Sequence, residues 1–404
     1  MSDFVDYLII GGGIAGATAA EAIRQRDPRG SIRVIGAERH PLYSRVLLPH
    51  VADGRASEGR VVIKTADAFA AKGIEYVSGA AVVSVDAAAQ RAGMADGSVC
   101  AYGKLLVASG SSARRFDGPG EEHCLYFRTL DDLRMLTSTT RVGTALVYGG
   151  GFNAIDLAVS LARRGARVTC AMRGDGFLAR ALDVRSRGAI KAALERHGIT
   201  VLPHMELRAV ERKSGGLVAL LSDGKSVNCD LAGVSVGVTP NVGFLAGSGV
   251  PVSTGVIVDD RLRASDHVYA AGDVAEYLDP NVAVHRVAGN WMNAMFQGKV
   301  AGANMAGDDK IFDMVTSYSI ACFELPVSFM GAVADGDDER VVRDAGETVM
   351  RFFLRRGRVI GVTCAGPFSE RSAVSRLLSS RVPLSERSRQ ALGDPKISLS
   401  SIVS

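Results

Sequence analysis

The segment Asp6–Arg26 reads DYLIIGGGIAGATAAEAIRQR and decides the fold of the first part of the chain. An apolar run of strand length comes first, a glycine turn follows, and a stretch rich in alanine and long side chains predicts a helix. Gly11 permits the tight turn, Gly13 lets the backbone approach a diphosphate, and Gly16 lets the helix pack closely on the strand. The diphosphate charge would then lie at the helix N-terminus. The candidate dinucleotide-binding residues of this turn are Gly11, Gly13, Ala15 and Gly16.

The next predicted strand, SIRVIGAE at Ser31–Glu38, supplies the acidic group that completes this fingerprint. Glu38 lies about 20 residues downstream of the glycine turn, where a carboxylate can accept hydrogen bonds from an adenosine ribose. We include the adjacent Arg39 among the candidate binding residues. The alternative is a glycine-rich turn that binds no ligand, and the agreement of several elements of the fingerprint argues against it.

The fingerprint repeats as GGGFNA at Gly149–Ala154, directly after the apolar run TALVY. A helix-forming stretch, IDLAVSLARRG, and a strand, ARVTCAM, follow it. Alanine is an accepted variant at the third glycine position. Two fingerprints in this arrangement predict two bound dinucleotides. The candidate residues of the second are Gly149, Gly151, Phe152, Asn153 and Ala154.

The strand after the second fingerprint lacks the acidic residue that closes the first. Met172 and Arg173 stand where a ribose-binding carboxylate is expected. A guanidinium at this position favours a 2′-phosphate, so the sequence favours NADPH over NADH. The alternative is that Arg173 is an ordinary surface arginine.

The composition is typical of a soluble protein with two or three domains. The chain has 404 residues and a formal net charge of +4, which is too mild to indicate nucleic acid, and no basic run is interleaved with aromatic residues. We therefore expect no nucleic-acid partner. No apolar stretch approaches ~18 residues and no basic, cleavable leader is evident, so we expect a cytoplasmic protein without a membrane segment.

The six cysteines are scattered along the chain. They form no CxxC pair and show no spacing typical of zinc or iron–sulfur ligands, so we expect no metal site. We interpret each of them as a small buried hydrophobic residue rather than a redox centre.

Three further motifs accompany the fingerprints: VASG at Val107–Gly110, YFRTLDDLRML at Tyr126–Leu136 and VYAAGDVAEY at Val268–Tyr277. Together these sequences resemble the FAD-dependent pyridine-nucleotide oxidoreductases. Within that superfamily, HPLYSRVLLPH at His40–His50 and GNWMNAMFQGKVAGANMAG at Gly289–Gly307 are most similar to the ferredoxin, rubredoxin and nitrite reductase flavoproteins.

The resemblance implies an α/β fold of the glutathione-reductase type, with two Rossmann-like dinucleotide-binding domains and a C-terminal α+β domain. A discontinuous FAD domain would comprise residues 1–112 and 239–311, an NAD(P) domain residues 113–238, and the C-terminal domain residues 312–404. We also expect the strand that precedes Gly272 to lie beside the first strand of the chain.

The resemblance also assigns roles around the flavin. Asp273, in the GD motif, would hold the ribitol and phosphate of FAD, and Arg45 would lie near the flavin and its phosphates. The helix after Asn290 would direct its N-terminal amides at flavin N1 and the C2 carbonyl, stabilising the negative charge of reduced flavin. The alternatives are that Asp273 is an ordinary turn aspartate and that Trp291 is an ordinary aromatic residue of the core. The candidate FAD-binding residues in these motifs are Arg45, Ala108, Ser109, Gly110, Gly272, Asp273, Asn290 and Trp291.

Residues 38–50 contain no cysteine. Members of the superfamily that reduce disulfides or peroxides carry a reactive cysteine or a CxxC pair in this stretch as an electron relay. Thiol-based chemistry is therefore disfavoured, and the electrons would leave from the flavin itself, which suits a one-electron acceptor.

Redoxin reductases usually carry a lysine five residues after the arginine and pair it with a glutamate on the second fingerprint helix. This chain has His50 and Asp156 instead. One hypothesis is that the two gate hydride arrival, with the imidazole changing charge near neutral pH. A second is that His50 exchanges a proton with an organic substrate. The third is a surface histidine and an aspartate near a helix N-terminus.

The last ninety or so residues contain alternating segments, TSYSIACFELPVSFMGAV and ETVMRFFLRRGRVIGVTCAG, which predict antiparallel strands around an acidic turn at Asp335–Glu339. A hairpin is predicted at the basic run that contains Arg355, Arg356 and Arg358. A helix is predicted at SAVSRLL. From Arg340 to Lys396 there are twelve basic and five acidic residues, a local balance of +7 that could steer an acidic redoxin. The alternative is that these basic residues are ordinary solvated surface. The segment also lacks the tryptophan-containing acceptor-side sequence that is common in redoxin reductases, which weakens the prediction of a redoxin partner.

These features together predict an FAD-dependent NAD(P)H oxidoreductase. It would pass electrons to an acidic iron–sulfur redoxin or oxygenase component, as a monomer or homodimer. The first alternative is a flavin dehydrogenase or oxidase of a small organic substrate. The second is a flavoprotein of the apoptosis-inducing-factor type with slow turnover.

Overall fold

The computed structural model describes residues 4–138, 142–333 and 339–402. The chain divides into two compact units. The first comprises Met1–Val46, Ser57–Ser112 and Val238–Met314, and the second comprises Leu47–Ala56, Ala113–Gly237 and Val315–Ser404. The short segment Leu47–Ala56 therefore belongs to the second unit, although the first unit precedes and follows it in the chain. Residues 335–338 of the predicted acidic turn lie outside the described residues.

A helix begins at each of the two glycine fingerprints, as the succession of apolar run, glycine turn and helix-forming stretch predicts. The stretch SAVSRLL also lies in a helix, which confirms that prediction. The α-helices of the described residues are α1 (Ile14–Arg26), α2 (Leu48–Ala52), α3 (Ala66–Ala70), α4 (Leu130–Ser138), α5 (Phe152–Arg163), α6 (Val184–Arg196), α7 (Trp291–Met305), α8 (Arg371–Ser380) and α9 (Glu386–Gly393).

The first unit is built on a seven-stranded sheet whose central strands are parallel and whose last two strands form an antiparallel hairpin. The strand order is Ile74–Ser78, Ile32–Gly36, Phe4–Ile10, Val99–Val107, Arg91–Met94 and Val82–Asp86, with Val268–Ala270 also paired to Val99–Val107. Three smaller sheets complete the unit: Val256–Val258, Ala275–Asp279 and Val284–Val287; Leu42–Tyr43 and Val62–Lys64; and Ser111–Ala113 with Val238–Pro240.

The strand that precedes Gly272 does not lie beside the first strand, so that prediction was wrong. Val99–Val107 pairs in parallel with Phe4–Ile10 and also with Val268–Ala270, and it separates the two. This nine-residue strand pairs with the antiparallel hairpin near its start and with Val268–Ala270 near its end, and it pairs with Phe4–Ile10 along most of its length. Pairing between strands so far apart in the chain is decided by tertiary packing, which local sequence does not encode.

Helices α1 and α7 pack against each other through glycine. A Cβ added at Gly298 would lie 2.2 Å from the Ala15 carbonyl oxygen, and one at Gly302 would lie 2.4 Å from the Ala19 carbonyl oxygen. The two helices therefore approach at backbone distance. This contact fixes the start of α1 relative to α7.

The second unit contains a parallel sheet, a small antiparallel sheet and the C-terminal antiparallel sheet. The strand order of the parallel sheet is Cys124–Leu125, Leu231–Val234, Thr144–Tyr148, Arg167–Met172 and Thr200–Pro203. The strand order of the small antiparallel sheet is Leu207–Lys213, Gly216–Leu221 and Ser226–Cys229. The strand order of the C-terminal sheet is Ser317–Cys322, Leu325–Gly331, Arg358–Ala365, Val349–Arg355 and Glu339–Asp344.

The C-terminal sheet confirms the predicted antiparallel strands and the predicted arginine-rich hairpin. Arg356 and Gly357 form its tip, with φ of +50° and +72°. Side chains of α8 and α9 join the apolar core on one face of this sheet. The fold is thus α/β with two Rossmann-like dinucleotide-binding domains and a C-terminal α+β domain, as predicted. In the part of the chain that the structure describes, no helix is both long and apolar enough to cross a bilayer.

Candidate functional site

The first glycine turn joins strand Phe4–Ile10 to α1. Gly11 has a φ of +123°, and a Cβ there would come 2.0 Å from the Ala108 carbonyl oxygen. A Cβ on Gly16 would come 2.0 Å from the Gly11 carbonyl oxygen. Gly13, in contrast, has no atom within 4 Å of an added Cβ. The fold itself therefore requires two of these glycines, whereas Gly13 leaves open space at the start of the helix.

The helices that follow the two fingerprints begin without a capping side chain. Asp183, Asn290 and Ser385 cap α6, α7 and α9 by accepting a hydrogen bond from a backbone N–H of the first turn. Helices α1 and α5 begin after Gly13 and Gly151, with no side-chain cap and no acidic residue in the first turn. Their free N–H groups, at the positive end of the helix dipole, fit the diphosphate of a dinucleotide.

The predicted ribose-binding carboxylate of Glu38 contacts two nearby side chains. Its Oε2 accepts a hydrogen bond from the Tyr43 hydroxyl at 2.6 Å, and its Oε1 accepts one from Nη2 of Arg45. Burial lowers the pKa of Arg45, but the charge of Glu38, with smaller contributions from Tyr43 and Asp273, raises it above the ordinary value. The first unit thus brings together three predicted site residues, while Arg39 is exposed.

The GD motif is held from two sides. The Ser111 hydroxyl donates a hydrogen bond to Oδ2 of Asp273 at 2.7 Å. The Gly272 N–H donates to Oε1 of Gln297 at 2.7 Å, and Gly272 has a φ of +85°. Ser111 therefore orients the Asp273 carboxylate, and Gln297 holds the backbone of the GD motif from the other side in the chain.

The VASG motif is fixed to Asn241 by four hydrogen bonds. Ser109 Oγ donates to the Asn241 carbonyl oxygen at 2.8 Å, and Nδ2 of Asn241 donates to the Ser109 carbonyl oxygen at 2.9 Å. The Asn241 N–H donates to the Gly110 carbonyl oxygen at 2.9 Å, and its Oδ1 accepts from the Ser112 hydroxyl at 2.7 Å. Ala108 is buried. These contacts fix the chain where it leaves and re-enters the first unit.

The second glycine turn repeats the geometry of the first. Gly149 has a φ of +144°, and a Cβ there would come 2.0 Å from the Ser235 carbonyl oxygen. Gly151 has open space around it. Ala154 is fully buried where it replaces the third glycine, and Asn153 is exposed.

Phe152 begins α5 and packs on the C-terminal sheet within the second unit. Its ring meets Tyr318 and Phe329 edge-on, with centroids 5.1 Å and 5.0 Å away. Tyr318 and Phe329 stack on each other at 5.0 Å. This aromatic cluster holds the first turn of α5 firmly in place.

Arg173 is exposed directly after its strand. Within the described residues, no carboxylate or carbonyl accepts a hydrogen bond from its guanidinium. Asp175 accepts a hydrogen bond from Nη2 of Arg187 at 2.7 Å. Glu206, whose charge acts on the pKa of Tyr148 as that of Arg173 does, forms an ion pair with Arg208. The end of this strand therefore presents an available cation, while these two carboxylates are already paired.

His50 and Asp156 lie on the packed helices α2 and α5 but form no hydrogen bond or ion pair with each other. Burial raises the pKa of Asp156 to about 6, and the charge of Arg55 partly opposes this shift. Burial, and then the charge of Arg55, lowers the pKa of His50; Asp53 opposes this shift, and Arg163 adds a smaller lowering effect. The two groups therefore do not form a contacting pair, although the charge of Arg55 acts on both.

All six cysteines are free thiols, and five of them are buried. Burial raises the pKa of Cys124 to about 11 and that of Cys170 to about 12. It also raises the pKa of Cys322 and Cys364 to about 12 and that of Cys229 above its ordinary value. The five thiols with raised pKa values, which include the half-buried Cys124, favour the protonated form and lack the thiolate that nucleophilic or redox chemistry needs. The sixth thiol, Cys100, is buried and accepts a hydrogen bond from the Arg33 guanidinium. Among the residues that the structure describes, no group of three His, Cys, Asp or Glu side chains is placed to hold a metal ion.

Residues 5–298 match the family model described as pyridine nucleotide-disulphide oxidoreductase. The chain belongs to this family. The resemblance predicted from the motifs is thereby confirmed, and the chain is an oxidoreductase. Proteins of the pyridine nucleotide-disulphide oxidoreductase family use FAD and a nicotinamide nucleotide, which the two uncapped glycine turns fit.

Individual relatives are similar over most of their length. The chain is 30% identical to the NADH-dependent phenylglyoxylate dehydrogenase subunit epsilon of Aromatoleum evansii, over 88% of this chain and 84% of that protein. It is 32% identical to the ferredoxin–NAD(+) reductase component of the anthranilate 1,2-dioxygenase system of Burkholderia cepacia, over 76% and 77%. The crystal structure of the ferredoxin reductase for the CYP199A2 system of Rhodopseudomonas palustris matches with a TM-score of 0.90, 25% identity and 100% coverage of both chains.

Sequence reasoning missed the side chains that support the predicted residues of this pyridine nucleotide-disulphide oxidoreductase. Ser111, Asn241 and Gln297 each bind a motif residue from outside the motif. Tyr76 donates a 2.9 Å hydrogen bond to the Gly12 carbonyl oxygen from a different strand. Ser111 could have been found, because it directly follows VASG; the others depend on contacts between distant segments.

Proposed function

We propose that this pyridine nucleotide-disulphide oxidoreductase takes a hydride from NAD(P)H and passes electrons one at a time to a ferredoxin- or rubredoxin-type iron–sulfur protein. FAD, when bound, supplies the chemistry that converts a hydride into single electrons. The printed names of relatives support this proposal, because the Burkholderia protein is named as a ferredoxin–NAD(+) reductase component and the Rhodopseudomonas protein as a ferredoxin reductase.

The observation that carries the proposal is the state of the thiols. Residues 38–50 contain no cysteine, and full or partial burial raises the pKa of five of the six thiols elsewhere. A dithiol relay needs a thiolate that is accessible to its disulfide partner. None of these five thiols is suited to relay electrons, and the sixth, Cys100, is buried beside the Arg33 guanidinium and lies outside residues 38–50. This favours an acceptor that takes single electrons from the flavin directly over a disulfide.

We assign FAD to the first unit and the nicotinamide nucleotide to the second glycine turn. The uncapped N-terminus of α1 would take the FAD diphosphate, with Asp273 on the ribitol side and Glu38 on the adenosine ribose. In the structure Glu38 and Arg45 form an ion pair, so the carboxylate must share its acceptor sites between Arg45, Tyr43 and the ribose. A carboxylate has about four lone-pair sites, which allows this sharing.

We further propose that the nucleotide site accepts NADPH at least as well as NADH. The support is the available guanidinium of Arg173 at the strand end, together with Met172 in place of a ribose-binding carboxylate. The Aromatoleum relative is named as NADH-dependent, so the two nucleotides must be compared directly on this protein.

We also place Asp156 near the site of hydride transfer from the nicotinamide nucleotide. It lies one turn into α5 behind the glycine turn, and its raised pKa makes it change charge close to neutral pH. We propose that Asp156 and His50 act independently, with Asp156 setting the pH dependence of nucleotide binding. The lack of a hydrogen bond or ion pair between these two described side chains supports this interpretation.

The acceptor protein is proposed to be acidic. Arg340 and Arg351 both lie over the ring of Phe353, at 5.9 Å and 5.1 Å from its centroid. Burial, and then the charge of Arg340, lowers the pKa of Arg351, while Asp183 opposes this shift, so the two guanidinium groups repel each other at this face. Carboxylates of a partner would relieve that repulsion and speed association at low salt.

Anaerobic stopped-flow mixing of the purified flavoprotein with NADH, and separately with NADPH, tests the proposed function. The flavin absorbance should bleach rapidly with at least one nucleotide and recover when an oxidised ferredoxin is added. A flavin that bleaches but is not reoxidised by ferredoxin or rubredoxin would contradict the acceptor, and a flavin that neither nucleotide bleaches would contradict the reductase function itself.

A further inference from the structure

The carbonyl group of Gly12, in the middle of the first glycine turn, accepts a hydrogen bond from a side chain of another strand. The Tyr76 hydroxyl donates this bond at 2.9 Å. A Cβ at Gly12 would lie only 2.4 Å from the same hydroxyl oxygen, so the phenol lies directly against the turn. Tyr76 belongs to the strand Ile74–Ser78, and the strand Ile32–Gly36 separates it from the strand that precedes the turn.

The Tyr76 ring is held in place by aromatic packing. It stacks on Phe69, with ring centroids 4.9 Å apart and an interplanar angle of 8°. Phe69 lies in α3 and is fully buried. A stacked pair with one ring in the core has little freedom to turn. The hydroxyl therefore meets Gly12 from a fixed position.

This hydrogen bond also acts on Gly13, because the Gly12 carbonyl and the Gly13 N–H belong to one peptide group. That peptide is trans, so its C=O and N–H point in opposite directions and the N–H is directed away from Tyr76. Among the described residues this N–H has no acceptor, and an added Cβ at Gly13 meets nothing within 4 Å. A hydrogen bond to a peptide carbonyl polarises the peptide and strengthens its N–H as a donor.

The second glycine turn has the same contact at the equivalent position. The Gly150 carbonyl oxygen accepts a hydrogen bond from the Leu178 N–H at 2.8 Å, and within the described part of the chain the Gly151 N–H of the same peptide has no acceptor. Leu178 has a φ of +54°, a backbone conformation that is unfavourable for a residue other than glycine. Each turn thus holds its middle carbonyl, one by a backbone donor and the other by a tyrosine hydroxyl.

We propose that Tyr76 is a positioning residue for the diphosphate at the first glycine turn. Its hydroxyl fixes the peptide between Gly12 and Gly13 so that the Gly13 N–H faces the ligand, and it strengthens that N–H as a donor. Tyr76 acts through the turn rather than by contact with the diphosphate. This role rests on the proposed assignment of FAD to the first unit, and it is independent of the electron acceptor.

A pair of tyrosine variants tests this role on the intact chain from which FAD has been removed. Tyr76→Phe removes the hydroxyl and keeps the ring that stacks on Phe69. Tyr7→Phe is the matched control, because the Tyr7 hydroxyl donates a 3.0 Å hydrogen bond to Asp27 at the other end of α1. Flavin fluorescence gives the dissociation constant for FAD, and NMR titration gives those for ADP and adenosine.

In Tyr76→Phe we expect the dissociation constants for FAD and ADP to rise about threefold to tenfold, while that for adenosine, which has no phosphate, stays within about twofold. Tyr7→Phe should lower the melting temperature and leave all three constants within about twofold. Equal losses for ADP and adenosine in Tyr76→Phe, no loss for ADP, or the same loss of FAD affinity in the control would overturn the proposal.

Isotope labelling reads the proposed peptide group directly. Glycine that carries ¹³C at its carbonyl and ¹⁵N at its amide gives a carbonyl-to-amide correlation only where two glycines are adjacent. The chain has five such peptides, which join Gly11 to Gly12, Gly12 to Gly13, Gly149 to Gly150, Gly150 to Gly151 and Gly215 to Gly216. In Tyr76→Phe the Gly12 carbonyl signal should move before any ligand is added. ADP should shift the Gly13 amide of the wild type, and it should shift that of Tyr76→Phe less.

The same spectra separate a failure of this proposal from a failure of the FAD assignment, because the Gly151 amide reports independently on ADP at the second turn. A wild-type Gly13 amide that does not respond to ADP would overturn the assignment of FAD to the first unit, and the role of Tyr76 with it. A Gly13 amide that responds equally in the wild type and in Tyr76→Phe would leave the assignment intact and overturn the role of Tyr76 alone.

Discussion

The Ser160 hydroxyl donates a hydrogen bond to the Pro49 carbonyl oxygen at 3.1 Å, and this contact attaches α2 to α5. His50 is adjacent to Pro49, and Asp156 precedes Ser160 by one helical turn. The two titratable groups are therefore brought to one pair of helices by backbone and hydroxyl contacts, without an ion pair between them. Their ionisation is set by burial and by Arg55 instead.

Asp156→Asn should stabilise the protein at neutral pH. Because burial raises the folded-state pKa of Asp156 to about 6, its contribution to stability is fully present below the unfolded-state pKa and is lost as the pH rises through about 6. We expect the variant to gain about 1–2 kcal/mol in the free energy of unfolding at pH 7.5, after allowance for solvent screening, and nothing near pH 3.5. Urea unfolding at both pH values measures this.

Asp53→Asn is the matched control for that experiment. The Asp53 side chain is fully buried and is paired with Arg55 at 2.6 Å. Its removal leaves a guanidinium without its partner, so this variant should lose stability at pH 7.5. Loss of stability in Asp156→Asn as well would mean that Asp156 has a partner that stabilises its charged form.

Arg55→Ala should raise the pKa of both His50 and Asp156. The guanidinium disfavours the imidazolium and favours the carboxylate, so its removal favours the protonated form of each group. NMR titration of the His50 ring, with the pH dependence of nucleotide binding as a second readout, would follow the two shifts. Opposite shifts, or a shift in one group alone, would contradict the shared influence of Arg55.

Gly11→Ala and Gly13→Ala should fail in different ways. A Cβ at Gly11 would come 2.0 Å from the Ala108 carbonyl oxygen at a φ of +123°, so this variant should lose at least about 2 kcal/mol of stability. A Cβ at Gly13 meets nothing within 4 Å, so that variant should fold normally but bind FAD weakly. Thermal unfolding without FAD and fluorescence titration with FAD separate the two effects. Normal FAD affinity in Gly13→Ala would place the diphosphate elsewhere.

Arg173→Ala should weaken NADPH binding about tenfold while leaving NADH within about twofold, because the proposed role of the guanidinium is to bind the 2′-phosphate alone. Met172→Glu should shift preference the other way, since a carboxylate binds ribose hydroxyls and repels the phosphate. Dissociation constants from the concentration dependence of flavin reduction measure both. Equal losses for the two nucleotides in Arg173→Ala would make Arg173 a general surface cation.

Much of the fold could be predicted from the sequence because its signals are local. The two glycine turns, the helices after them and the arginine-rich hairpin each depend on residues within about a dozen positions. Gly11 and Gly149 follow from the turn itself, since only glycine tolerates their positive φ and their close backbone contacts. The missing thiol relay was equally visible, as a stretch of sequence without cysteine.

Tertiary structure decided what depends on distant segments meeting. Val99–Val107 separates the first strand from the GD strand, and Glu38 pairs with Arg45. The hydrogen bond from Tyr76 to Gly12 emerges only when separate strands join one sheet. By itself the sequence determined which local elements form and which chemistry the chain lacks, because propensity, turn geometry and residue type are properties of short segments. Only the tertiary structure decided the partners, burial and charge state of the functional groups, since a pKa or an unpaired donor is set by neighbours far away in the chain.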